Sequence, residues 1–206
     1  MRKRELAART SAVVVGALLL TGLASAAAAE EYGSDDVDVN VDIAAIEGPG
    51  VLAMSVGGTS ATLTETGSTE LVRQFTGTLP TVTVTDTRSA DEIPADAGWY
   101  VLGSSTDFVG DAGQAAIGAE YLGWTPALLD GGDAGLVTEG DPVETAIEGG
   151  PDGVGLVDQE LLAMALDSGA VATEGQWTAN AQLFLRTPAN VAPGSYSSTL
   201  TLSLFE

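Results

Sequence analysis

The sequence predicts an all-β fold: an antiparallel β-sandwich or Greek-key barrel, immunoglobulin-like, with about ten short strands and little helix. Three observations carry this. Apolar and polar residues alternate with a period of two, most clearly from Trp177 to Arg186 and from Tyr196 to Leu204. Glycine and proline, 26 and 8 of the 206 residues, punctuate the alternating runs. The polar positions within the runs are largely Thr and Ser, which suit a pleated, half-buried surface. No repeat of fixed period is present, which argues against solenoids and propellers.

In chain order, Arg2, Lys3, Arg4 and Arg9 precede an apolar run from Ala12 to Leu23. Small residues then form A-x-A patterns at Ala24 to Ala26 and Ala26 to Ala28. This is the pattern of a cleaved export signal over residues 1–29, too short for the roughly 20 residues of a membrane span. Residues 30–206 are expected to form a single domain with no membrane span. From Asp36 to Ile43, acidic residues alternate with Val37, Val39 and Val41. Asp36, Asp38 and Asn40 match the start of a calcium loop, and Glu47 stands at its twelfth position, but Val41 occupies the sixth, where the turn needs glycine. The alternation therefore favours a strand whose same-face carboxylates, with Asp42, hold a cation at most weakly. Calcium is the one cofactor these residues leave open.

Val51 to Val56 and Ala61 to Thr66 read as a hairpin over Gly57 and Gly58, and Leu71 to Thr76 and Thr81 to Asp86 as further strands. After an acidic loop containing Pro94, Gly98 to Leu102 opens a central strand that runs toward Phe108. Tyr121 to Thr125 reads as a short strand closed by Pro126. Residues 130–155, rich in Gly, Asp, Glu and Pro, read as a long acidic surface loop with at most one short strand. Leu156 to Leu166 fits either a helix or a strand from Glu160. A turn from Ser168 to Gly175 leads into the last two strands, which are joined by a loop holding Pro188, Pro193 and Gly194.

Composition narrows the function. The chain has 7 basic and 29 acidic residues, no histidine and no cysteine. Loss of residues 1–29 removes four of the basic residues and one acidic residue, leaving a net charge of −25. Such a surface disfavours nucleic acid and anionic membrane, both of which need Lys and Arg. It favours solubility, divalent cations or a cationic partner, and it also suits a salty habitat. Without His and Cys, no Ser–His–Asp or Cys–His set and no zinc site of the usual kinds can form. The only lysine lies in the signal, which removes Ser–Lys dyads and phosphate loops. No enzyme activity is expected, and with no cysteine the exported chain must rely on its core for stability.

Several segments carry a family resemblance: Pro80 to Arg88, Gly98 to Val101, Ser104 to Phe108, Tyr121 to Pro126 and Pro193 to Leu204. Together they resemble the WxL domain, and more closely the WxL-like secreted surface proteins of high-GC Gram-positive bacteria. The resemblance covers most of residues 30–206. The family's two Trp-x-Leu motifs correspond here to Trp99-Tyr100-Val101 and Leu202-Ser203-Leu204. The resemblance implies an exported β-rich protein at the cell surface or cell wall, held non-covalently through peptidoglycan or through other surface proteins. The absence of an LPxTG-type signal agrees with non-covalent attachment. Candidate binding residues are Trp99, Trp124, Tyr121 and Trp177. Trp99 is expected in the core, whereas Trp124, next to Gly123 and before Pro126, is expected to be partly exposed and free to stack on a sugar ring or a partner's side chain. The alternative is a self-assembling subunit of a surface layer or fibre, joined through strand edges and dependent on calcium.

Overall fold

The computed structural model describes residues 41, 48–130, 135–149 and 153–206. The export signal and the candidate calcium residues Asp36, Asp38, Asn40 and Asp42 lie outside the described residues. All described strands belong to one compact unit, Ile46–Glu206. They are β1 (Leu52–Val56), β2 (Thr64–Glu65), β3 (Val72–Thr78), β4 (Val82–Asp86), β5 (Trp99–Ser105), β6 (Val109–Gly110), β7 (Leu122–Asp130), β8 (Val137–Glu139), β9 (Glu160–Ala165), β10 (Gln176–Pro188), β11 (Tyr196–Ser197) and β12 (Leu200–Phe205). One four-residue helix, α1 (Ser168–Val171), is capped by Asp167, whose carboxylate accepts from the Ala170 N–H at 3.0 Å. The fold is an all-β antiparallel sandwich.

The first sheet is built along β10. At 13 residues it spans roughly 40 Å at strand rise, longer than any one neighbour. One of its edges pairs with β7, from Leu185↔Leu122 to Thr178↔Asp130. The other edge is shared end to end by β3, which pairs with residues 182–188, and β4, which pairs with residues 176–179. Between Gln182↔Thr78 and Ala179↔Val82 the β3–β4 side has one residue more than β10, so the chain bulges at Leu79–Thr81. Leu79 still donates to the Ala181 carbonyl at 2.9 Å. Pro80, which has no N–H to give, occupies the bulge.

β1 and β2 lie end to end in the same way, antiparallel to β4 and β3. The expected hairpin between them does not form. Gly57 N–H instead donates to the Thr81 carbonyl at 2.8 Å, so the chain keeps travelling along its neighbour rather than folding back on itself. The second sheet has the order β12-β5-β9-β8, and the short β11–β6 ladder extends the β12–β5 pair. Residues 156–166 thus resolve as strand β9. The last two long strands are not partners: β10 is central in one sheet and β12 is an edge of the other.

Two further expectations change. Pro126 does not close its strand but sits inside β7, opposite Ala181. Trp124 exchanges hydrogen bonds with Val143 on the outer edge of β7, at 3.2 and 2.9 Å. Two residues on, the backbone nitrogen of Pro126 points to that same outer side, where no ladder requires a donor. The acidic segment after β7 is not purely surface: Val137, Val143 and Thr145 are buried, because β8 joins the second sheet and Val143 lines the edge of β7.

The two sheets meet over a tryptophan core. Trp99 of β5 and Trp177 of β10 face each other with ring centroids 5.3 Å apart and planes tilted by 43°, a geometry worth roughly 0.5–1.5 kcal/mol beyond area burial. Their bulk is matched by buried Ala163, Ala165, Ala179 and Ala181. Trp124 of β7 reaches across to β5 where Gly103 stands. A Cβ on Gly103 would lie 2.5 Å from the indole Cη2. The substitution Gly103→Ala is therefore expected to destabilise the protein by about 1–3 kcal/mol through overpacking, read as a lower midpoint in urea with an unchanged slope.

Candidate interaction surface

All three tryptophans are core. Trp99 and Trp124 are 0% exposed and Trp177 is 2% exposed. The exposure expected of Trp124 is thus corrected: Gly103 admits its ring to the interior, and Val143 pairs over the edge that would have left it open. None of the three can stack on a ligand without unfolding its surroundings. Trp177 donates its indole N–H to Glu174 at 2.8 Å, whereas the N–H groups of Trp99 and Trp124 have no partner among the described residues. Tyr121 is half-buried, at the end of a short 3-10 turn (Ala119–Tyr121), and packs against the same core.

The exposed aromatic surface lies elsewhere. Tyr100 alternates with buried Trp99 and Val101, so its side chain stands on the outer face of the second sheet. Its cross-strand partner is Phe205. The two rings stack with centroids 5.3 Å apart and planes 17° from parallel, at 38% and 36% exposure. Met164 stands opposite Tyr100 on the other side and Thr138 opposite Met164, so the row crosses all four strands without a charge. Tyr100 belongs to the Trp99-Tyr100-Val101 motif, whose most conspicuous member is the tryptophan. Strict alternation with a buried Trp99 was the signal that could have found Tyr100.

Beside this row runs the outer edge of β12, with which no strand pairs among the described residues. Leu200 to Phe205 contains no Pro and no charge, the usual devices that blunt a sheet edge. A cleft of about 420 Å³ opens on the same flank, between β1 with the loop that follows it and β11–β12. Met54, Leu63, Phe108, Leu122, Leu183 and Leu202 form its walls.

Charge is distributed unevenly around these features. Every arginine among the described residues is ion-paired: Arg73 with Glu65, Arg186 with Glu144 and Glu148, and Arg88 with both Asp86 and Glu206. Arg88 is the most enclosed. It holds Asp86, whose side chain is fully buried, through bonds of 2.9 and 2.7 Å, and reaches Glu206 at 2.7 Å, tying the end of β4 to the end of β12 across the two sheets. Burial works against the Asp86 charge, but the guanidinium and backbone N–H of Arg88 outweigh it and hold the carboxyl below its ordinary value of 3.8. Burial likewise opposes the Glu148 charge, and bonds from Thr145 and Arg186 bring that carboxyl below 4.5. Glu160 is shifted the other way, raised by burial and by Asp158. Among the described residues no group of three acidic side chains is arranged to hold a metal ion.

A carboxylate with a depressed folded-state pKa contributes stability above its unfolded pKa and loses it as pH falls through the folded value. The melting temperature should therefore drop as pH falls below about 4. Arg88→Met strands a buried carboxylate and should cost about 3–5 kcal/mol at neutral pH. That deficit should narrow in acid, where Asp86 is protonated, as measured by denaturant titrations at paired pH values. Glu160→Gln has the opposite sign: it should raise the melting temperature at neutral pH and do so less in acid.

Among the described residues no helix is long and apolar enough to cross a membrane. Comparison of the chain with protein families, with characterised proteins and with solved structures finds no match.

Proposed function

We propose that this chain is a non-catalytic protein exported to the cell surface or cell wall, where its β-sandwich binds a wall polymer such as peptidoglycan, or another surface protein. The export pattern of residues 1–29 and the segments resembling WxL-like proteins support the location. The lack of His and Cys supports a binding role over a catalytic one. One observation carries the reading: the exposed Tyr100–Phe205 stack on the outer face of the second sheet. Two aromatic rings held rigidly by adjacent strands offer apolar area with little conformational entropy to lose, which suits the face of a sugar ring or a partner's side chain. The neutral row around them lets a partner approach without desolvating a carboxylate.

The edge of β12, which no strand covers among the described residues, favours a second reading, a subunit that adds strand to strand in a surface layer or fibre. Net charge opposes that assembly unless cations screen it.

The mature protein should sediment with purified Gram-positive walls or with native surface extract. Tyr100→Ala combined with Phe205→Ser should reduce the bound fraction by about tenfold while leaving the circular dichroism spectrum unchanged. Absence of sedimentation with either material removes the binding claim. For the assembly reading, light scattering should grow on addition of calcium. A strictly monomeric species across salt and calcium counts against it.

A further inference from the structure

The two flanks of the sandwich interior differ. Around Trp99 and Trp177 the interior leaves a void of only about 10 Å³. On the flank where β1 and β12 end their sheets, the 420 Å³ cleft reaches in to Phe108, Leu122 and Leu183. Interiors are normally packed to the density of organic crystals, and this volume falls within the roughly 300–1,000 Å³ of small-molecule sites. The chemistry of its lining is selective. The chain carries 29 acidic residues, yet among the described residues no Asp, Glu, Lys or Arg lines the cleft. Its polar groups are hydroxyls: Thr59 and Ser60 in the loop after β1, and Ser105, Ser198 and Thr199 along the second sheet. The Ser105 and Ser198 hydroxyls bond each other at 2.8 Å, and Ser198 also donates to the Thr106 carbonyl at 2.6 Å.

We propose that this cleft binds the acyl chain of an uncharged single-chain amphiphile. The apolar walls take the aliphatic tail, and the hydroxyls at the rim take a neutral ester or polyol head. Charge fixes the choice of head. An anionic head would face a strongly negative protein whose described arginines are all already paired, so no cation is free to receive it. A cationic head finds no carboxylate among the described residues of the lining. This inference does not depend on wall or partner binding, which rests on the outer face of the second sheet.

The test uses mature full-length protein and the neutral fluorescent probe N-phenyl-1-naphthylamine, whose emission rises on entering an apolar site. The probe should bind, and 1-decanoylglycerol should displace it at concentrations about tenfold lower than decanoate. Ala61 lies on the exposed loop at the cleft mouth. Ala61→Trp should plug the opening and weaken probe binding by about tenfold, with melting temperature and circular dichroism unchanged. Val56, 40% exposed at the rim, gives an independent readout. Val56→Arg supplies the missing cation and should shift the preference toward decanoate, an effect that a merely structural role for Val56 would not produce. No emission change with the mature protein overturns the proposal. So does probe binding that the folded Ala61→Trp variant leaves intact. Displacement by a peptide of alternating apolar residues but not by 1-decanoylglycerol also overturns it, and assigns the cleft to a protein strand instead.

Discussion

One strand holds this molecule together. β10 is long enough to need three partners, and each of its edges is in use: β7 on one side, and β3 then β4 on the other. Its inward residues, Trp177, Ala179, Ala181, Leu183 and Leu185, are all buried and supply a large part of the apolar core. Because β3 and β4 share a single edge, the Leu79–Thr81 bulge is the natural junction between them, and a residue without an N–H is tolerated there. The same end-to-end arrangement recurs in β1 and β2 on one sheet and in β11 and β12 on the other. The sandwich is thus made of a few long, interrupted strands rather than many separate hairpins.

That organisation explains what the sequence revealed and what it hid. Period-two alternation located β1, β3, β4 and β10 to within a residue or two, but it ran β5 on toward Phe108 and merged β11 and β12 into one strand from Tyr196. Alternation carries no information about which strand lies alongside. Gly57-Gly58 looked like a hairpin turn, since glycines permit one, but a bond to Thr81 decided otherwise. Pro126 looked like a terminator, yet a proline is harmless where its nitrogen faces an edge with no ladder to complete. Trp124 looked exposed because Gly123 precedes it and Pro126 follows. The space that buries it is a missing side chain at Gly103, 21 positions earlier on another sheet. Residues 130–155 looked like a surface loop because their composition is polar, while their few apolar members, Val137 and Val143, are the ones that make contact.

The acidic composition takes on a definite geometry. The described arginines are consumed internally, and one of them, Arg88, joins the two sheets. The excess of carboxylates makes the protein as a whole repulsive to anions. Against that background the neutral places stand out: the aromatic row over β12, β5, β9 and β8, and the flank cleft. Each is a patch where a ligand meets no charge, and exclusion of charge is itself a means of selection in so anionic a protein. The two lie on opposite faces of the same edge strand. Leu200 and Leu202 line the cleft, while Phe205 carries the aromatic row.

Burial of all three indoles has an optical consequence. Excited apart from the tyrosines, the indole emission of the native chain comes entirely from rings shielded from water, two of them within 5.3 Å of each other across the sheet interface. Separation of the sheets wets these chromophores, so the colour of the emitted light is a built-in gauge of whether the sandwich is closed. A ligand that settles on the outside leaves that colour alone, which lets folding and binding be followed in one cuvette without an attached label.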